Sequence, residues 1–131
     1  MKTYVEGDYP KKEITEKIIR AAFAVHSKLG SGFVEKVYEN AMVKELRSMG
    51  LAVDQQKPLK VLFGGDPVGE FSVDLLVEKS VVVELKAVRV MERSYEEKLL
   101  HYLKASNLPV GLLLNFGNAS VQIKRKVNSN K

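Results

Sequence analysis

Along the first third of the chain, apolar residues recur at spacings of three and four. Ile14, Ile18, Ala22, Val25 and Leu29 form one such stripe, the period of a helix with one buried face, starting at about Lys12. Gly30-Ser31-Gly32 ends it. Val34, Val37, Tyr38, Ala41, Met42 and Leu46 trace a second helix from about Phe33 to Met49, closed by Gly50. Two helices joined by a short glycine turn predict an αα-hairpin. The pattern then becomes extended. Leu51 to Phe63 reads as a strand with an irregularity at Lys57-Pro58, and Gly64-Gly65-Asp66-Pro67 is a turn. Val68 to Val77 and Val81 to Val88 follow as strands separated by a turn at Glu78 to Ser80, so the three make an antiparallel meander. The third is apolar at nearly every position, which predicts a central strand covered on both faces. Leu99, Leu100, Tyr102 and Leu103 mark a helix over about Ser94 to Ser106. Val110 to Phe116 is another buried strand, and Ser120 to Val127 a last one. A helix between two buried strands is a crossover, which makes the third and fourth strands parallel. The expected fold is α/β, a mixed sheet flanked by helices in the order ααβββαββ. Residues 1–10 read as an extended lead-in and the final Asn-Ser-Asn-Lys as a disordered end.

At 131 residues the chain is expected to form one domain, large enough to bury a core. Cys is absent and His is confined to His26 and His101. That excludes a disulfide framework or thiolate metal site and argues against a His-rich zinc site. With no apolar run of about 18 residues and no basic-then-apolar start, the expected location is cytoplasmic, away from membranes. The formal charge of +5 points toward nucleic acid. However, Lys124, Arg125, Lys126 and Lys131 supply most of it from an acid-free C-terminal segment. Of the 21 basic residues, the 17 outside that group face 16 acids, and the basicity reads as a solvated tail.

The stretch Phe71 to Val88 carries ionisable groups where the pattern calls for apolar ones. Asp74 lies between Val73 and Leu75, and Glu84 and Lys86 flank Leu85 after Val81-Val82-Val83. Burying an acid costs several kcal/mol unless something pairs with it. Residues two apart on a strand share a face, so Glu84 and Lys86 project together, and a neighbouring strand brings Asp74 to the same side. Two carboxylates suit Mg²⁺, which takes oxygen ligands and keeps several waters. A nearby lysine could orient a water and offset charge growing on a phosphate. The same residues also read as an ion pair on an exposed sheet face. Glu35, three before Tyr38, reads on spacing alone as a first-turn acid favoured by the helix dipole. His101 reads as a helix-surface residue.

Gly32-Phe33-Val34-Glu35-Lys36-Val37-Tyr38 resembles the signature of the GxxExxY protein family, placed in the PD-(D/E)XK nuclease superfamily. The likeness continues through QQKPLKV, VDLLVEKSVVVELKAV and LLHYLKASNLPVGLLLNFG, over about residues 13–127. The resemblance implies a restriction-endonuclease-like core. It makes Asp74 the first acid, and Glu84 and Lys86 the E-x-K element, with the Leu85 carbonyl as a further metal ligand. Glu35 becomes the helix acid that reaches the same metal, and Tyr38 a packing residue with its hydroxyl nearby. Related nucleases carry Gln-x-x-x-Tyr on the helix after the E-x-K strand; here Lys98 and Tyr102 stand at those positions. Lys cannot reproduce an amide's paired donor and acceptor, so Lys98 contacts a phosphate as a point charge or faces solvent. The implied activity is Mg²⁺-dependent (or Mn²⁺-dependent) hydrolysis of nucleic acid, DNA in the first place. The catalytic set is Glu35, Asp74, Glu84 and Lys86, with Tyr38, Lys98 and Tyr102 positioning substrate. The alternatives are a nuclease fold that binds nucleic acid or protein without turnover, and a small accessory subunit. A homodimer is compatible with either.

Overall fold

The structure is a computed structural model that describes residues 9–129. The lead-in expected over residues 1–10 therefore lies almost wholly outside the described residues. The elements are α1 (Lys12–Leu29), α2 (Glu35–Ser48), β1 (Val53–Phe63), β2 (Asp66–Val77), β3 (Val81–Lys86), α3 (Arg93–Ser106), β4 (Val110–Asn115) and β5 (Gln122–Val127). The expected order is thus realised in a five-stranded sheet, β1-β2-β3-β4-β5. β3 is central and runs parallel to β4, and the other pairs are antiparallel. No described helix is long and apolar enough to cross a membrane.

Strand alternation sends each residue set to its own side of the sheet. Val83 and Leu85 of β3 and Leu112 and Leu114 of β4 pack beneath α1 and α2, meeting Ile18, Ala22, Met42 and Leu46. Val82 and Leu113 face the other way, into a smaller core with Leu99 and Leu103 of α3. Glu84 and Lys86 follow Val82 at the same period, so they too fall on the α3 side. β4 carries Gly111 at this point because α3 lies close: a Cβ there would stand 2.8 Å from a Leu99 methyl. α3 is thereby held low over β4.

The expected irregularity in β1 falls one residue earlier than Lys57-Pro58, at Gln56, whose φ is 51°. A further register shift sits between Val61 and Leu62. At the C-terminus the expected last strand is present as β5, and two other expectations are corrected. Lys124, Arg125 and Lys126 are not a solvated tail, because the ladder with Leu113, Leu112 and Gly111 of β4 orders them within that strand. Lys126 pairs with Glu96 of α3 at 2.9 Å, and the Arg125 guanidinium lies 3.6 Å from the centre of the Tyr9 ring. Asn128 is 2% exposed rather than disordered, its amide donating to the carbonyls of Leu103 and Leu108. Lys131 lies outside the described residues.

Candidate active site at a fork in the sheet

β2 and β3 pair only through Leu75↔Val83, Leu76↔Val82 and Val77↔Val81. One step further Asp74 would face Glu84, and there the backbone ladder stops. The side chains take over from it. Asp74 Oδ2 accepts the Leu85 N–H at 2.8 Å, and Glu84 Oε1 accepts the Asp74 N–H at 3.2 Å. Backbone groups freed where the strands part are thus satisfied by the two acids, as buried amides must be. The strand also changes phase here. Leu75 belongs to the core under α1 and α2, yet Val73, two residues back, belongs to the core under α3. Opposite Asp74, Gln56 is missing from the β1–β2 pairing, which passes from Gln55↔Leu75 to Lys57↔Val73.

Crowding two carboxylates at the fork has an electrostatic result. Burial, and then the neighbouring charge of Asp74, push the Glu84 carboxyl up from an ordinary 4.5 to about 8. At neutral pH Glu84 holds a proton. Lys86 does not neutralise the pair: among the described residues the ion pairs are Lys12–Glu16, Lys36–Glu39 and Lys126–Glu96. Its ammonium lies instead over the Tyr95 ring, 4.3 Å from the centroid. This is not the cross-strand ion pair that the spacing also allows. Lys98 sits 5.5 Å from the Tyr102 ring centre, and Tyr102 stacks on Phe71 with centroids 4.2 Å apart. Glu84, Lys86, Tyr95, Lys98 and Tyr102 line a cavity of about 250 Å³ between the end of β3 and α3. Lys98 therefore faces the site rather than leaving it, as does Tyr102. His101 is exposed.

The α2 side holds a part that the sequence did not single out. Glu39 is 4% exposed, with Oε2 accepting from Lys36 Nζ at 2.7 Å and from Gln55 Nε2 at 2.5 Å. Its Oε1 accepts from Gln56 Nε2 at 2.9 Å, and the same nitrogen reaches Asp74 Oδ1 at 3.2 Å. Glu35, one turn earlier, is exposed in the first turn of α2, with no hydrogen bond or ion pair among the described residues. Tyr38 is fully buried and its hydroxyl is spent on the α1–α2 turn: it donates to the Gly30 carbonyl at 2.6 Å and accepts the Phe33 N–H at 3.3 Å. Its ring stacks on Phe116, 4.7 Å between centroids. The expected packing role is what the structure shows. A substrate-positioning role does not fit, because both hydroxyl functions are occupied within the fold.

The donor set suits a hard cation of modest protein coordination. Among the described residues no three His, Cys, Asp or Glu side chains group closely enough to hold a metal on their own. Asp74, Glu84 and the Leu85 carbonyl are the oxygens at the fork, and Mg²⁺ commonly binds through one or two carboxylates, with waters and phosphate oxygens completing its shell. A cation would also favour the ionised form of Glu84 against the burial and the Asp74 charge that raise its pKa.

Residues 12–126 match the family model of the PD-(D/E)XK nuclease superfamily. The solved structure of a protein designated SSO0001 superposes with a TM-score of 0.52 at 16% identity, over 89% of this chain and 58% of that one. At that identity the likeness is one of fold, and the chain spans little more than half the length of that protein. Among curated proteins none matches the sequence significantly. With the match running from the start of α1 into β5, and the element order and mixed sheet in agreement with it, the chain belongs to the PD-(D/E)XK nuclease superfamily.

Proposed function

We propose that this protein is a Mg²⁺-dependent nuclease that hydrolyses phosphodiester bonds, with DNA as substrate. The observation that carries the reading is the fork itself: Asp74 and Glu84 share one half-buried site, each accepting a backbone N–H of the other strand, and Lys86 stands beside it with no acid partner among the described residues. A structural ion pair would have consumed that lysine. Asp74, Glu84 and the Leu85 carbonyl would hold the cation, which supplies Lewis acidity toward a phosphoryl oxygen. Glu39 is buried against β1, whereas Glu35, one turn earlier on α2, is exposed and would be the helix acid that turns toward the metal. Lys86, steadied over Tyr95, offers an ammonium to orient the attacking water and to offset charge growing on the phosphate. Lys98 and Tyr102 form the far wall of the cavity, where they would meet the phosphate or base next to the scissile bond.

The test is cleavage of linear, circular and branched DNA with Mg²⁺ or Mn²⁺. Wild type is expected to cut, with Glu84→Ala inactive and Lys86→Ala slowed by about 10²-fold or more, the usual loss when a charge-stabilising donor is removed. Equal cleavage by wild type and variants would defeat the assignment. A second reading, a nuclease fold that binds without turnover, is favoured by Lys98 at the position where related enzymes carry an amide. It predicts DNA binding, no product, and no effect of Asp74→Ala on thermal stabilisation by Mn²⁺.

A further inference from the structure

We propose that Gln56 is a positioning residue that fixes Asp74 from the α2 side of the fork, with Glu39 as its anchor. One amide nitrogen, Gln56 Nε2, reaches both Glu39 Oε1 at 2.9 Å and Asp74 Oδ1 at 3.2 Å. The other oxygen of Asp74 takes the Leu85 N–H. Asp74 is therefore held at both oxygens, by β1 on one side and β3 on the other, and its carboxylate plane is set. The anchor is itself immobile: Glu39 is buried and clamped by Lys36 and Gln55. Gln56 reaches this place only because its backbone is left-handed, with φ at 51°. Side chains longer than Asn seldom adopt that conformation, and such outliers persist where the surroundings demand them. Its cost is matched here by the aim it gives the amide. Glu39 acts at a distance, through Gln56: it is buried in the α2–β1 seam, where its oxygens accept from Lys36, Gln55 and Gln56. The metal-affinity part of this inference rests on the nuclease reading; the positioning part does not.

The competing account gives Gln56 the lesser task of satisfying a buried oxygen of Glu39. Gln56→Gly separates the two, since glycine keeps the left-handed backbone and deletes the amide. Gln56→Asn, which also tolerates that backbone but falls short of both partners, serves as the second variant. The first readout is metal-free NMR on the Leu85 amide, the reporter of where Asp74 points. In both variants its proton is expected to move upfield and to exchange about ten-fold faster, while amides of the β4–β5 ladder stay unchanged. A Leu85 amide unaltered in both variants, with thermal stability alone reduced, overturns the proposal. The second readout is Mn²⁺ affinity by electron paramagnetic resonance, expected to weaken about 10- to 100-fold in the variants, the range for residues that orient a ligand. Wild type that binds no Mn²⁺ sinks the nuclease reading, whereas the Leu85 amide still decides the role of Gln56.

Discussion

At the scale of single residues, Glu84 ties stability to pH. The folded protein holds its proton up to about pH 8, whereas the unfolded chain releases it near 4.5. The folded state binds the extra proton in between, so the stability tied to this group is full below pH 4.5 and declines as pH rises through about 8. Glu84→Gln removes the ionisation and keeps the shape. Its melting temperature is expected to gain steadily on wild type between pH 5 and pH 9, read by thermal melts in matched buffers; parallel curves would mean that Glu84 is already ionised at neutral pH. The two acids and Lys86 were legible in the sequence because each breaks an apolar run. Gln56 and Glu39 were not. Gln55-Gln56 looks like ordinary polar strand surface, and nothing in its spacing reports a left-handed backbone or a partner 17 positions away. Glu39 was visible only as an acid one turn beyond Glu35. Its burial follows from α2 lying against β1, which periodicity does not give.

Among the elements, close approach decides how β3 and α3 meet at the site. A Cβ on Gly117 would fall 2.2 Å from the Val88 carbonyl oxygen and 2.5 Å from the Val88 nitrogen. Val88 is also tied by Asn115, which accepts its N–H at 2.9 Å and donates to its carbonyl at 2.8 Å. The segment after Lys86 thus has no room to retreat. Gly117→Ala is expected to cost about 3 kcal/mol in urea unfolding, at the upper end for an overpacked site. Gly111→Ala meets only side-chain ends of Leu99 and Leu103 and is expected to cost about 1 kcal/mol. Equal costs would show that the Val88 segment yields. Element type and order were readable from period and turn signals, down to the parallel β3–β4 pair implied by the crossover. The strand β5 was readable from the alternation of Val121 and Ile123. Its charge was not: the run Lys124-Arg125-Lys126 suggested a solvated tail, because a basic run looks the same whether or not a neighbouring strand completes its hydrogen bonds.

Over the whole molecule, the positive charge has a place rather than a loose end. Lys124 and Lys126 share one face of β5, with Lys126 bound to Glu96 of α3, and Lys86 and Lys98 line the cavity on the same side of the sheet. A nucleic acid entering the cavity would run past β5. Lys124→Ala is expected to lower the slope of log affinity against log salt by about 1 in fluorescence-anisotropy titrations, leaving Mn²⁺ binding untouched. An unchanged slope would place the strand elsewhere. The fork that builds the site has one more result. Because β3 stops pairing after Leu75, the part of β2 from Asp66 to Val73 has a bare edge, and β1 bares the other edge of the same long hairpin. Two open rows of amides invite a second copy to add itself strand to strand, the opening move of aggregation. These edges carry Asp66, Pro67, Gly69 and Glu70 on β2 and Lys57, Pro58 and Lys60 on β1, residues that withhold donors, repel one another or weaken a strand. The charge, proline and glycine along both open edges thus work against strand-to-strand addition.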